Sequence, residues 1–211
     1  ILLSFLLLRC AVSVPSRAAE DAHDLQVETS ATQVKILAGA QSVATYVFRD
    51  ANIPPPYFAH AHAPGNLQVT RNHPPRPPED ATDHELMHPG IWLAFGNLDG
   101  EDFWRNKARI EHEKVPVPPH VKRGVAKFVE DKFYRRTDGT VVCSERFACS
   151  IRQLSHGFLL TWDSRFRSKR GFYFGDQEEM GLGVRVTTPI AESNGGRLLD
   201  ANARLGAKKI W

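Results

Sequence analysis

Charge of one sign, cysteine, long apolar runs and helical periodicity are all scarce in this sequence of 211 residues. Lys and Arg number 27 against 24 Asp and Glu, a net charge of +3, so no strong electrostatic pull toward nucleic acid or anionic membrane follows. No nucleic-acid partner is expected, and the one basic run, Arg165-Phe166-Arg167-Ser168-Lys169-Arg170, reads as a solvated turn. After the first residues no stretch is long and apolar enough to span a bilayer as a helix. No segment carries a sustained helical stripe, and without strand-helix alternation a parallel α/β sheet is disfavoured. The 42% hydrophobic content still suffices for one sizeable core, which makes disorder the wrong default.

The N-terminus opens on an apolar run, Ile1 to Leu8, followed by the small-x-small pattern Ser16-Arg17-Ala18-Ala19. This predicts a secretory signal peptide over residues 1–18, lacking its Met and basic start, and an exported chain, periplasmic or extracellular. Arg9 argues against Cys10 as a lipid-anchored cysteine. Residues 19–211 are expected to form a single domain. Its two remaining cysteines, Cys143 and Cys149, would lie about 20 Å apart on one extended strand at roughly 3.3 Å per residue, too far for a disulfide. A bridge requires Ser144 to Ala148 to turn back; otherwise both are small buried residues on one strand face. Gly206 to Trp211 reads as the start of another strand, so the domain is expected to be truncated at its C-terminus.

Runs of β-branched and aromatic residues recur between Gly, Pro and Asp-Gly punctuation, the pattern of an all-β domain. Strands are predicted at Leu25 to Thr29, Gln33 to Leu37, Val43 to Phe48, Tyr57 to His62, Leu67 to Thr70 and Ile91 to Phe95. Others are predicted at Ala108 to Val115, Val125 to Tyr134, Thr140 to Ile151, Phe158 to Trp162, Gly171 to Phe174 and Leu182 to Thr188. Asp138-Gly139 marks a hairpin between Val125 to Tyr134 and Thr140 to Ile151. The predicted architecture is an antiparallel β-sandwich, or a supersandwich-like version of one.

Five of the nine histidines fall between His60 and His88, around a loop that Pro74, Pro75, Pro77 and Pro78 keep out of any sheet. His84-Glu85-Leu86-Met87-His88 matches H-E-x-x-H, the zinc motif in which a helix sets two imidazoles on one face and the Glu activates metal-bound water. The helix that motif needs is excluded by the Pro-rich stretch before it and by Pro89-Gly90 after it. The extended form also fails, with Ile91 in place of its Gly and Ala94 in place of its third His. His60 and His62 would share a strand face and, joined to His84 and His88, could hold a divalent metal; plain solvent-facing histidines are the alternative. Asp176, Glu178 and Glu179 crowd three carboxylates into a glycine-rich turn, where mutual repulsion can raise a pKa toward proton-transfer use. Trp92 and Trp104 offer aromatic faces of the kind that stack on sugars, or else core packing.

Taken in order, Val69-Thr70-Arg71-Asn72-His73-Pro74-Pro75, Asp83-His84, His88-Pro89-Gly90-Ile91-Trp92-Leu93-Ala94-Phe95-Gly96, Asp102-Phe103-Trp104 and Phe174 to Arg185 resemble the bacterial PmoA-like family labelled "methane oxygenase". The resemblance covers the chain from about Ser42 onward. It implies an exported protein of polysaccharide-degrading bacteria, acting on or binding a carbohydrate or polyol, although the family label points to a multi-helix membrane enzyme. On that footing His84 or His88 is the expected general acid and Glu178 the general base. Arg71, Asp83, Trp92, Asp176 and Arg185 are expected to contact ligand in a cleft between the Pro-rich loop and the Glu-rich turn. A non-catalytic sugar-binding module and a His-liganded metalloprotein, hydrolase or oxygenase, are the two other readings.

Overall fold

Short alternating segments bury one face each when they pair side by side, and the computed structural model, which describes residues 24–210, has twelve strands among the described residues. They are β1 (Leu25–Thr29), β2 (Gln33–Ala38), β3 (Gln41–Val47), β4 (Tyr57–Ala59), β5 (His62–Ala63) and β6 (Leu67–Gln68). β7 (Ile91–Phe95), β8 (Arg109–Lys122), β9 (Val125–Arg135), β10 (Val141–Leu154), β11 (Gly157–Arg167) and β12 (Met180–Val184) follow. Pairing between strands is antiparallel throughout, in a six-stranded sheet ordered β1-β2-β3-β4-β7-β12, a four-stranded sheet ordered β11-β10-β9-β8 and the small ribbon β5-β6. The fold is all-β. The predicted signal peptide and Cys10 lie outside the described residues, and among those described no helix is long and apolar enough to cross a membrane.

Both large sheets turn apolar faces to a common layer. Val34, Ile36, Tyr46 and Phe58 of the six-stranded sheet pack in one cluster with Ala126, Phe128, Phe147 and Ile151 of the four-stranded sheet. A second cluster gathers Trp92, Phe95, Leu98, Phe103, Ile110 and Tyr134. Each Phe that leaves water in such a layer stabilises the fold by about 2 to 3 kcal/mol before its ordering entropy is subtracted. β7, inserted between β4 and β12, carries Trp92 and Phe95 into the second cluster and so ties the sheet to the loops that precede and follow it.

Several predicted elements differ from those observed. The strand expected over Tyr57 to His62 stops at Ala59 because His60 takes a left-handed backbone, φ 49°, which ends the pleat. His60 and His62 therefore do not share a strand face. The strand expected to end at Val115 runs on to Lys122 despite Pro116, Pro118 and Pro119. β8 is an edge strand whose register with β9 slips between His112 and Lys114, between Lys114 and Val117, and again between Val117 and His120, and edges and bulges are where missing N–H donors are tolerated. Gly171 to Phe174 makes only a single bridge, Phe174 to Leu98, and Ala207–Ile210 forms one helical turn in place of the predicted strand. The Asp138-Gly139 hairpin joins β9 to β10, with Asp138 Oδ1 accepting from Thr140 N at 2.8 Å. Cys143 and Cys149 both lie on β10, buried and unbridged, and burial pushes the Cys143 thiol up to about 12.

Candidate functional site

The Pro-rich loop is shaped by two buried charged residues. Asp80 Oδ2 accepts from Asn72 Nδ2 at 2.8 Å and from Arg76 N at 2.9 Å, closing the proline segment on itself. Arg71, 1% exposed, spans the inside of the loop: Nη1 donates to the carbonyls of Ala81 (2.7 Å) and Asp83 (2.9 Å), and Nη2 donates to that of His88 (3.2 Å). A loop with so few backbone donors of its own is held by one guanidinium fork. The Arg71 Nε remains buried without a partner.

That anchor presents His84 and His88 on a single turn, closed by His88 N donating to His84 O at 2.8 Å, with no longer helix around it. The two rings lie 5.0 Å apart, and His88 stacks on Trp92 at 4.8 Å with an 18° tilt. Trp92 is itself pressed against Gly183, its cross-strand partner on β12, where a Cβ would come within 2.3 Å of the indole. With His88 on one side and Gly183 against it, the Trp92 indole is buried to 3% exposure and offers no open face to a sugar ring. Desolvation, with His84 and the Arg185 and Arg71 guanidinium groups nearby, lowers the His88 imidazole to about 4, so it is neutral at physiological pH. Asp83 pairs with Arg185 at 2.5 Å and, at 3.7 Å, with Arg71. Desolvation opposes the ionisation of Asp83, but Arg185, His84 and Arg71 hold it below the usual carboxylate range.

On its other side the loop walls a cleft of about 810 Å³. The floor is the outer face of β2, β3 and β4, the far wall is Arg49 to Ile53, and His73 to Pro75 with Glu85 and Leu86 close the near side. His60 and His73 both border it, and His73 N donates to His60 Nε2 at 3.4 Å. Burial lowers both imidazoles below the usual value; for His60 the bond from His73 opposes this, and for His73 the Asp50 carboxylate does. The His73 Nδ1 is buried and has no partner among the described residues. Asp50 accepts from the Tyr57 hydroxyl at 2.7 Å, which, with desolvation, pushes the phenol well above its usual value.

The structure thus brings His84, His88, Asp83, Arg71, Trp92 and Arg185 together. It does not bring the acidic turn into that group. Glu178 and Asp176 are exposed and make no side-chain hydrogen bond or ion pair among the described residues; Glu179 is the member that is tied down, to Arg105. His62 directs Nδ1 to the carbonyl of His60, 2.6 Å away. Among the described residues no three His, Cys, Asp or Glu side chains converge as a metal would require, so His60, His62, His84 and His88 do not form one ligand set.

Residues 33–211 match a family of unknown function, DUF6807. The chain belongs to that family. No curated protein and no solved structure matches it. The PmoA-like, methane-oxygenase resemblance drawn from the motifs is therefore corrected: the family found carries no such label and no assigned activity. In this DUF6807 chain several of the residues behind that resemblance have packing roles. Arg71 anchors a loop, Gly183 admits the Trp92 ring, and Gly90 lies so close to β4 that a Cβ would sit 2.1 Å from the Phe58 carbonyl oxygen. Residues fixed by close packing identify a fold and carry no information about a reaction.

Sequence reasoning missed Asp50, His73 and Asp80 as site-forming residues, and it missed a polar group between the sheets. There Tyr46 donates to Glu130 Oε2, His112 Nδ1 lies 2.8 Å from Glu130 Oε1, and Lys132 Nζ lies 3.0 Å from Glu145 Oε2. Tyr134 and Ser164 also donate to Glu145, at 2.8 and 2.5 Å. Strand parity carried the signal: Glu130 and Lys132 alternate in step with Ala126, Phe128 and Tyr134, and Glu145 with Cys143, Phe147 and Cys149.

Proposed function

We propose that this chain, as an exported protein, binds a neutral hydroxyl-rich ligand of the carbohydrate or polyol class in the cleft between the Pro-rich loop and Arg49 to Ile53. The observation that carries this reading is a cleft of about 810 Å³, a volume ordinary for small-molecule sites, bordered by the two imidazoles of His60 and His73, which burial keeps uncharged. The lining supports the ligand class. Lys35 and Arg49 are balanced by Asp50 and Glu85, and of the two neutral imidazoles His73 has one donor and one acceptor nitrogen while His60, whose Nε2 accepts from His73 N, keeps one donor for a hydroxyl. Acid-base chemistry on the bound ligand is the second reading, favoured by an imidazole at the cleft, His73, that burial keeps unprotonated while the Asp50 carboxylate partly opposes that lowering.

Calorimetric titration with neutral mono- and oligosaccharides and polyols tests the proposal. At least one should bind saturably, and His73→Ala should weaken it by about tenfold or more, the cost of one lost hydrogen bond in a desolvated site. Glu178→Ala should leave binding unchanged. Unaltered affinity in His73→Ala would remove the proposal, and product formation during the titration would move the second reading ahead of the first.

A further inference from the structure

The basic run Arg165 to Arg170 folds into more than a solvated turn. It borders a second cleft, of about 900 Å³, where the end of β11 meets the start of β10, and the lining brings Arg136, Arg167, Lys169 and Arg170 together with one carboxylate, Asp99. Arg136 is already neutralised, by Asp99 and by Glu101 at 3.6 Å. Arg167, Lys169 and Arg170 make no ion pair among the described residues, and all three are exposed.

Their backbone is fixed in place. Ser168 Oγ donates to Val142 O at 2.7 Å, Ser144 Oγ donates to Arg167 O at 3.3 Å, and Arg170 N donates to Ser168 Oγ at 3.4 Å. Two side-chain hydroxyls therefore pin the turn to β10. Three like charges held on a pinned turn repel one another, and among the described residues none of the three has a carboxylate within ion-pair distance. A bound anion would offset that repulsion, and the fixed backbone lowers the ordering cost of binding it.

We propose that this cleft binds a small ligand bearing two or more tetrahedral oxyanion groups, as phosphate or sulfate esters, through Arg167, Lys169 and Arg170. The excess of cations favours multiple charge, and Arg favours the bidentate geometry that such groups present. The mixed charge of the whole chain argues against an extended polymer track and for a compact ligand. This proposal is independent of the His73 cleft.

Calorimetry on the whole chain in 50 mM NaCl, with inorganic pyrophosphate in one arm and a disaccharide bearing several sulfate esters in the other, decides it. Saturable binding of either probe is expected, weakened at least tenfold in Arg167→Ala/Lys169→Ala/Arg170→Ala and several-fold in 300 mM NaCl for the wild type. The probe that binds tighter identifies the source of the oxyanion. Lys127→Ala/Arg152→Ala, which removes two exposed cations elsewhere on the same sheet, should bind as the wild type does. Because all substituted residues are exposed, melting curves should coincide. The proposal is overturned if neither probe binds, if the triple variant binds unchanged, or if the control pair loses as much affinity as the triple variant.

Discussion

Lys132 and Arg71 are both cations at 1% exposure, and they are accommodated in opposite ways. Lys132 lies between the sheets, where its ammonium meets a carboxylate, Glu145 at 3.0 Å, and the faces of Phe147 and Trp162 at 4.9 and 5.3 Å from the ring centroids. Arg71 lies in the loop region, where its main partners are three backbone carbonyls. The difference follows from what each region has in excess. Strands satisfy their own backbone, so a charge buried between them must be matched by a side chain of opposite sign. A proline-rich loop has carbonyls to spare, and there a charged fork can organise the main chain itself. The interior pair is a matter of stability, and the loop anchor is a matter of the shape of the His73 cleft and the His84 to His88 turn.

The sharpest way to break this comparison is to remove one partner of the interior pair. Lys132→Met strips Glu145 of its cation between the sheets and should cost about 3 to 5 kcal/mol in urea unfolding. Lys132→Met/Glu145→Gln should recover a large part of that loss, because no charge is then buried without a partner and the amide oxygen still accepts from one of the two hydroxyls, Tyr134 or Ser164, that donate to separate oxygens of Glu145. If the double variant is no more stable than the single, charge matching is not what holds this layer. Arg71→Met comes next, at about 2 to 3 kcal/mol, since three carbonyls lose a charged donor. Its distinguishing readout is local. Amide exchange should accelerate across Ala81 to His88 while β9 and β10 keep their protection, whereas Lys132→Met should accelerate both strands together.

The two regions were not equally legible in the sequence. The sheets follow from alternation, and even their buried charges could be read from parity, because Glu130 and Lys132 stand in step with Ala126, Phe128 and Tyr134, and Glu145 with Cys143 and Phe147. Position along the chain also located the loop, since four prolines within five residues cannot donate to a ladder. What could not be read was which side of the loop faces a cavity. The aromatic residue expected to face ligand, Trp92, is covered by His88, and the cleft opens instead beside His73, on the other side of the loop. That arrangement depends on Arg71 and Asp80 binding groups as much as 17 residues away, a tertiary closure with no periodic signature. The left-handed His60 was hidden for a similar reason: its strand is ended by backbone geometry that no local pattern announces.

The comparison also has a pH signature, the smallest of the expected effects. Tyr46 and Tyr134 belong to the interior group, and burial together with Glu130 and Glu145 raises both phenols well above the usual 10.0. Their contribution is intact below pH 10 and is lost as the unfolded chain, but not the folded one, begins to ionise above it. The loop region fails from the other end. His88 is lowered to about 4 against the usual 6.5, so between these values the unfolded chain takes up a proton that the folded one refuses, and stability declines as pH falls from about 6.5 to about 4. The imidazole is only half-buried, and solvent screening holds its share to about 1 kcal/mol or less. His60 and His73 act in the same direction, whereas Asp50 and Asp83, lowered from 3.8, contribute only below that window. Urea midpoints at pH 7.0, 5.5 and 4.5 should therefore fall less steeply for His88→Gln than for the wild type, while the two proteins lose stability in parallel above pH 10. Equal acid slopes would show that the His88 stack on Trp92 excludes no proton, and would leave His60 and His73 as the source of the acid sensitivity.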